Sequence, residues 1–343
     1  MTGKEAILAA VDLQDTERVP AAYYGGGMWT LYQAGETFES LARDPRRMAG
    51  VFVRMAEEVG NPMVYCGSGY NNLHVAALGG TIKYRKIGAP DLEEALVHDL
   101  AGVRALDTGR MAGHETIQTV WKTTEIVSGR IGDRFVVTTT SWGPFTLAGQ
   151  ICGVEPLMRG TFKAREMVHA VVDFAREFIT GFYEPLISRG LIEMVSIADP
   201  TASGDLLSRK QFAEFVLPSL RQLTDRWHQK KVKTLLHICG DTTDRLDLLL
   251  ETGADIISVD HKVDLVKARE AFRGKRCLAG NLDPVAVMLQ AGPEQVAQKA
   301  RDVIQRLGGG GGFILMPGCD IGPTVPRENV EALLRTAAAT PPG

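Results

Sequence analysis

The strongest constraint on the fold of this 343-residue chain is a regular alternation of short apolar runs with longer segments of helical periodicity. The apolar runs have the length of strands, and most end at Gly, Pro, Asp or Asn, which are typical of turns. Strands that alternate with helices predict parallel pairing through crossover helices. The eight predicted strands are residues 19–24, 63–66, 135–139, 192–198, 234–239, 256–260, 277–280 and 313–319.

Eight strand–helix units predict a single (β/α)8 TIM barrel, which typically needs about 250 residues plus insertions. We expect one domain over residues 1–343 that opens with an N-terminal helix. The gap between the second and third predicted strands is too long for one helix. We expect this insertion, residues 73–134, to hold a hairpin strand at 79–86 and helices at 91–100 and 113–127, and to project over the barrel mouth.

Three metal-binding residue types fall at predicted strand ends. His237 and Cys239 end the fifth predicted strand, and Cys319 ends the eighth. Residues two apart on a strand point to the same face, and the carboxyl ends of barrel strands form the active face. Buried cysteines can also be plain hydrophobic residues, so an isolated His-x-Cys predicts little. At these positions, however, two thiolates and one imidazole favour a tetrahedral catalytic Zn²⁺ that keeps one ligand position open.

The composition is that of an ordinary globular protein, with 45% hydrophobic and 23% charged residues. A net charge of −3 argues against a nucleic-acid or anionic-membrane surface. Five cysteines without paired spacings do not form a disulfide framework. The N-terminus lacks a signal-peptide core, and no apolar stretch has transmembrane length. We therefore expect a cytoplasmic protein with no nucleic-acid or membrane partner, and we leave the oligomeric state open, with a homodimer as one option.

Several strings along nearly the whole chain resemble the uroporphyrinogen decarboxylase superfamily. They are Arg18-Val19-Pro20, Gln33-Ala34-Gly35, Gly143-Pro144-Phe145-Thr146-Leu147-Ala148, Asp199-Pro200-Thr201-Ala202-Ser203 and the run from Cys319 to Asn329. The decarboxylases of this superfamily hold the carboxylates of their substrate with arginines on both sides of the Gln-Ala-Gly string. Here those positions are Tyr32 and Glu36. Because no guanidinium is present there, uroporphyrinogen decarboxylation is the less favoured alternative.

The other branch of the superfamily consists of corrinoid-dependent methyltransferases similar to methylcobamide:coenzyme M methyltransferase. This resemblance implies Zn²⁺ at His237, Cys239 and Cys319, and a corrinoid (methylcobalamin) supplied by a small partner protein. Zinc with two thiolates and one neutral imidazole has no net charge, so an added substrate thiolate would stay nucleophilic. We expect methyl transfer to a thiol acceptor such as coenzyme M. The reverse role also stays open, in which a methoxylated aromatic or other methylated donor loads cob(I)amide.

One carboxylate stands out as a further catalytic candidate. Asp199 ends the fourth predicted strand, and Pro200 after it favours an extended backbone facing the mouth. We expect it to be a base for the incoming thiol, a hydrogen-bond partner of His237 or a fourth metal ligand. The aspartates Asp241 and Asp283 are better explained as helix caps.

Small and aromatic residues at the first strand ends are candidates for contact with substrate or corrinoid. Gly26 and Gly27 belong to a run of three glycines that would permit close approach of a large flat ligand. Trp29, Tyr65 and Trp142 follow or end the first three predicted strands and could line the pocket. Aromatic residues at a barrel rim also suit simple packing.

Overall fold

The computed structural model describes residues 1–343 and contains nine strands, seven of them in one parallel sheet. The strands are β1 (Met63–Cys66), β2 (Ile82–Lys83), β3 (Asp91–Leu92), β4 (Val136–Trp142), β5 (Met194–Ala198), β6 (Lys233–Ile238), β7 (Ile256–Val259), β8 (Cys277–Leu282) and β9 (Phe313–Pro317). The parallel sheet has the order β1-β4-β5-β6-β7-β8-β9. This order, with helices in the connections, is that of the predicted (β/α)8 barrel.

Sixteen α-helices connect and cover the strands. They are α1 (Gly3–Val11), α2 (Gly27–Gln33), α3 (Phe38–Leu41), α4 (Pro45–Val59), α5 (Leu73–Ala76), α6 (Leu100–Arg104), α7 (Glu115–Ile131), α8 (Pro144–Cys152), α9 (Val154–Lys163), α10 (Arg165–Ser188), α11 (Arg209–Gln211), α12 (Leu217–Gln229), α13 (Leu246–Glu251), α14 (Leu265–Phe272), α15 (Pro293–Leu307) and α16 (Arg327–Ala339). None of these helices combines the length and the apolar character needed to cross a lipid bilayer.

The first predicted strand is reduced to a single bridge. Ala21 pairs in parallel with Leu315 of β9, and the Leu315 N–H donates to the Pro20 carbonyl over 2.9 Å. On the other side, the Tyr23 N–H donates to the side chain of Asn61 over 3.1 Å instead of to a main-chain carbonyl of β1. Proline has no N–H for a ladder. The segment therefore closes the barrel between β9 and β1 without forming a regular strand.

The inside of the barrel is filled, and the predicted N-terminal helix closes its amino-terminal end. Helix α1 begins at a capping box, in which Thr2 Oγ1 accepts the Glu5 N–H and the Glu5 carboxylate accepts the Thr2 N–H. Its residues Ile7, Ala10 and Val11 belong to an inner cluster of 16 buried side chains. A second cluster of 84 buried residues packs the helices on the outside of the sheet. Because the interior is packed, a ligand can bind only at the carboxyl end of the strands.

The segment between β1 and β4 consists of two different parts. Helix α7 packs against α4 outside the sheet, so it is the crossover helix of this unit. Before it, β2 and β3 form an antiparallel hairpin. Asn72 ties this hairpin to the carboxyl end of the barrel, because its side chain donates to Pro90 O and accepts the Trp142 Nε1–H over 2.8 Å. That the hairpin covers the mouth stays a prediction.

One of the two predicted helices in this segment is wrong. The predicted helix at 91–100 is extended at its start, where Asp91 pairs with Lys83, and α6 begins only at Leu100. The Asp99 side chain accepts the Gly102 N–H over 2.7 Å and so fixes the helix start there. The predicted helix at 113–127 is present as α7.

Candidate metal centre

The donor atoms of His237, Cys239 and Cys319 converge at the mouth of the barrel. All three lie within 4.8 Å of one another. The His237 Nε2 atom is 3.2 Å from Cys239 Sγ, and Cys239 Sγ is 3.3 Å from Cys319 Sγ. Two strands, β7 and β8, separate β6 from β9 in the sheet, so the curl of the barrel is what brings the second cysteine to the first pair.

This donor set fits zinc in both chemistry and spacing. Two thiols and one imidazole are typical zinc ligands, and no oxygen donor of an Asp or Glu side chain joins the cluster. With Zn–S bonds of about 2.3 Å, tetrahedral geometry places two sulfurs about 3.8 Å apart. The observed sulfur separation of 3.3 Å therefore needs only a small outward shift. Three protein donors leave the fourth position for another ligand, as in catalytic zinc sites.

The pKa values of His237 and Cys319 reflect how closely the three donors are packed. The neighbouring Cys239 thiol and burial raise the pKa of the Cys319 thiol. Burial lowers the pKa of His237, but the hydrogen bond to Cys319 and the charge of that cysteine more than offset it, so the net shift is upward. A divalent cation bound there would favour the thiolates and the neutral imidazole instead.

The imidazole of His237 is held on both sides. Its Nδ1 atom is 3.0 Å from Ser258 Oγ on β7, the residue that pairs with His237 across the two strands. Its ring packs on the ring of Tyr24, with centroids 4.7 Å apart. A hydrogen bond at Nδ1 fixes the ring so that Nε2 faces the two sulfurs. Sequence reasoning missed Ser258, because only the strand register brings it opposite His237.

The loop after β6 holds Cys239 in position. Gly240 has a φ of +80° and donates its N–H to Asp260 Oδ2 over 2.9 Å. A Cβ atom at this position would collide with Ser203 Oγ and with the Asp205 carboxylate. Glycine is therefore required both for the left-handed turn and for the close packing of the neighbouring loop.

Asp320, directly after Cys319, joins the metal centre to the first βα connection. Its Oδ1 atom accepts the Gly26 N–H over 2.7 Å. Burial raises the pKa of this carboxyl to about 7. The sequence analysis did not single out Asp320, although its place beside a predicted metal ligand was an available signal.

Comparison with known proteins agrees with the fold and with the motif strings. The family model described as uroporphyrinogen decarboxylase (URO-D) matches residues 2–340. The chain belongs to the uroporphyrinogen decarboxylase family.

Relatives of this family member include methyltransferases. A methylcobamide:CoM methyltransferase of Methanosarcina mazei is 28% identical, and the match covers 98% of this chain and 97% of the relative. A methylated-thiol–coenzyme M methyltransferase of the same organism is 33% identical over 198 residues, 58% of this chain and 52% of the relative. A solved methyltransferase structure from Methanosarcina mazei superposes with a TM-score of 0.87 over 99% of both chains at 24% identity, which supports the barrel fold.

The structure of this family member places Asp199 apart from the three clustered donors. The carboxylate is fully buried and accepts hydrogen bonds at the start of α8, from Thr146 N (2.7 Å), Thr146 Oγ1 (2.6 Å) and Phe145 N (3.3 Å). It is not among the clustered donors, and Ser258 takes the place at His237 Nδ1 that was predicted for it. Asp199 is therefore neither a neighbour of His237 Nδ1 nor one of the clustered donors, and its predicted role as a base for the incoming thiol stays a prediction. Asp199 acts as a cap contributed to α8 by another strand.

The glycine run does not form an open platform for a flat ligand. A Cβ atom at Gly27 would collide with the main-chain carbonyl of Ser68, and one at Gly26 would collide with the ring of Tyr23. Gly26 uses its N–H for the bond to Asp320. The small residues are needed because other parts of the chain pack closely here, and contact of Gly26 and Gly27 with substrate or corrinoid stays a prediction.

Two of the three predicted aromatic contacts are core residues. Trp29 is fully buried and donates its Nε1–H to Val325 O over 2.8 Å. Tyr65 is 1% exposed and belongs to the inner barrel cluster. Both rings are packed, and their contact with substrate or corrinoid stays a prediction. Trp142 stays half-buried at the end of β4, where Asn72 holds its indole N–H, and remains a candidate for ligand contact.

The remaining polar and thiol residues lie apart from the three clustered donors. Asp241 accepts the Thr243 N–H over 2.9 Å and Asp283 accepts the Val285 N–H over 2.8 Å, so each closes a local turn. No helix begins directly after Asp283, and the predicted helix cap is wrong there. The other three cysteines, Cys66, Cys152 and Cys277, are buried, and burial raises the pKa of each thiol.

Proposed function

We propose that this protein transfers a methyl group from a methyl-corrinoid, carried by a partner protein, to a thiol, with zinc held by His237, Cys239 and Cys319. One observation carries the proposal. An imidazole and two thiols converge at the mouth of a barrel, and a methylcobamide:CoM methyltransferase aligns with the chain over nearly its whole length. An anionic thiol such as coenzyme M is the acceptor that this relative suggests.

The chain's own residues prepare the site for a sulfur nucleophile. Zinc, when bound, supplies the charge that lowers the pKa of a substrate thiol so that it reacts as a thiolate near neutral pH. His237 is 1% exposed and fixed by Ser258, whereas Cys239 and Cys319 keep part of their surface accessible. Entry is therefore from the mouth, because the barrel interior below the triad is packed.

The transfer balances without an added oxidant or reductant. The thiol proton leaves to solvent, and the sulfur forms a bond to the methyl carbon. The cobalt–carbon bond breaks with both electrons left on cobalt, which gives a thioether and cob(I)amide. The protein's part is to place the sulfur in line with that bond and to limit water at the reacting atoms.

The positions that flank Gln33-Ala34-Gly35 speak against porphyrinogen decarboxylation. Tyr32 is 43% exposed and offers a phenol. Glu36 is occupied by a salt bridge with Arg47 at 2.7 Å. A substrate with several carboxylates would need unpaired cations at these places.

A second candidate function uses the same site in the other role. The relative named as a methylated-thiol–coenzyme M methyltransferase supports it, since its name describes a methylated thiol as a substrate. In that reaction a methylated donor gives its methyl group to cob(I)amide, and zinc held by His237, Cys239 and Cys319 would stabilise the negative charge on the leaving sulfur or oxygen.

Anaerobic absorption spectroscopy with free methylcobalamin tests the proposal. Coenzyme M and a panel of other thiols should convert methylcob(III)alamin to cob(I)alamin in the presence of the zinc-loaded protein. Cys319→Ala should abolish the conversion, whereas Cys152→Ala, which removes a buried thiol outside the triad, should preserve it. Equal activity of the two variants would contradict the proposal. Methylation of cob(I)alamin by a methylated thiol, with no reaction of any free thiol, would establish the second candidate instead.

A further inference from the structure

Trp142 differs from the other three tryptophans in its exposure. Trp29, Trp121 and Trp227 are 0%, 8% and 1% exposed, whereas Trp142 is half-buried at the carboxyl end of β4. Part of its ring packs against the inner barrel cluster, so the indole lies at the mouth of the barrel rather than wholly among the outer helices. The rest of the ring is accessible from the mouth.

The strand register places Trp142 beside the metal centre. Trp142 pairs with Ala198 of β5, and Ala198 pairs with His237 of β6. Side chains alternate between the two faces of a sheet, so residues paired across neighbouring strands point to the same face. Ala198 contributes only a methyl group. The indole is therefore the first large side chain next to His237 on this side of the sheet.

The three donors leave the same side of the metal centre free. His237 and Cys239 come from the end of β6, and Cys319 follows β9, which lies beyond β7 and β8 on the other side of β6. No His, Cys, Asp or Glu of β4 or β5 joins the cluster. A fourth ligand that approaches the metal from this side has Ala198 and Trp142 as its neighbours.

Hydrogen bonds hold the indole in place and leave it apolar toward a ligand. Its Nε1–H donates to Asn72 Oδ1 over 2.8 Å, and the same oxygen accepts the side-chain N–H of Gln150 over 2.5 Å. Asn72 donates in turn to the Pro90 carbonyl. Because the indole has only one polar group and Asn72 takes it, the ring offers a ligand only carbon atoms. Trp142 is a fixed apolar wall.

We propose that Trp142 selects the acceptor thiol by packing against the carbon chain that follows its sulfur. This inference rests on the proposed function. With the sulfur at the open position of the metal, an unbranched chain fits over the methyl group of Ala198. A thiol that carries a ring on the carbon next to its sulfur would overlap the indole. Because Trp142 is level with His237, its contact is with the thiol, which binds the metal, and not with the corrin. The preferred substrates are therefore unbranched aliphatic thiols.

Kinetics with free methylcobalamin and two uncharged thiols tests this selection. The thiols are 1-propanethiol, which is unbranched, and cyclohexanethiol, whose ring begins at the carbon next to sulfur. Wild type should prefer 1-propanethiol. Trp142→Ala should raise kcat/KM for cyclohexanethiol about tenfold or more, the scale on which an apolar pocket discriminates by size, and raise KM for 1-propanethiol. Trp142→Phe, which keeps a smaller ring, should show a smaller gain. The matched control is Phe162→Ala, which removes a 76% exposed aromatic from α9 and should leave both thiols unchanged.

Tryptophan fluorescence of the zinc-loaded protein gives a binding measurement without any methyl transfer. Saturating 1-propanethiol should quench the emission of the wild type, because sulfur close to an indole quenches it and the other three indoles lie in the core. Trp142→Phe should show no quenching. Equal quenching in both proteins would overturn the proposal, and so would an unchanged preference between the two thiols in Trp142→Ala and Trp142→Phe. Inactivity of the wild type with every thiol, together with unchanged fluorescence, would instead refute the proposed function.

Discussion

The two halves of the barrel mouth differ in what fixes their side chains. In the half formed by β6 to β9, His237 lies in a strand that is paired on both sides, so the register determines where its ring points. In the half that follows the Ala21 bridge and β1, Gly27 and Trp29 lie in a connection, and local packing turned them inward against Ser68 and Val325. The direction of His237 and Cys239 follows from their spacing on a paired strand, whereas the direction of Trp29 depends on what packs next to its connection.

The largest effect is expected for the half of the mouth formed by β6 to β9, where one substitution should remove the metal. Cys239→Ala should lower bound zinc from about one per chain to a small fraction and abolish methyl transfer, because two protein donors hold zinc poorly. Elemental analysis beside circular dichroism measures both properties. A variant that keeps full zinc would remove Cys239 from the site, and the comparison of the two halves would fail.

The next effect concerns the half of the mouth that follows the Ala21 bridge and β1. A substitution there should lower the stability of the fold without loss of metal. Trp29→Ala should cost about 3–5 kcal/mol of unfolding free energy, as is usual for deleting a buried aromatic. Its zinc content should stay at the wild-type level. Urea unfolding measures the first quantity and elemental analysis the second. Loss of zinc from a folded Trp29→Ala protein would show that the two halves are coupled.

The buried carboxyl of Asp199 should make the stability of the protein depend on pH. Burial raises the pKa of its carboxyl to about 6, against hydrogen bonds from Thr146 and Phe145 that lower it. The native chain therefore keeps this proton between about pH 4 and 6 while the unfolded chain loses it, so this group makes stability fall as pH rises through that window. The unfolding free energy should fall by about 3 kcal/mol across this window, at about 1.36 kcal/mol per pKa unit.

Asp199→Asn should remove this part of the pH dependence of the unfolding free energy. It should keep the rate of methyl transfer within a few-fold of wild type. The contribution of Asp320 remains in both proteins, so the difference between their unfolding curves at several pH values isolates Asp199. An unchanged slope together with loss of activity would restore a catalytic role for Asp199.

A smaller effect is expected at Ser258, which holds the ring of His237. Ser258→Ala should weaken zinc binding about 10- to 100-fold, the usual range for a hydrogen-bond partner of a metal-ligating histidine. Ser258→Thr keeps a hydroxyl and should recover most of the affinity. Competition with a zinc chelator measures the zinc affinity of the wild type, Ser258→Ala and Ser258→Thr. Equal affinities would mean that the packing of Tyr24 alone orients the imidazole.

The sequence was sufficient for the barrel and for the three donors, because both depend on periodicity and on strand ends. It could not supply the partners of those donors. Ser258 required the register of β6 against β7. The bond between Asp320 and Gly26 required knowledge that the first connection packs beside the end of β9. The wrong prediction at residues 91–100 has a similar cause, because pairing of β3 with β2 overrode the local helical pattern.

X-ray absorption at the zinc edge tests the central claim most directly. The zinc-loaded protein should show two sulfur ligands and one imidazole nitrogen, and a reactive thiol should raise the sulfur count to three with Zn–S distances near 2.3 Å. His237→Ala should lose the nitrogen signal and the methyl transfer together. A sulfur count that stays at two in the presence of saturating thiol, while methyl transfer to that thiol proceeds, would contradict the account.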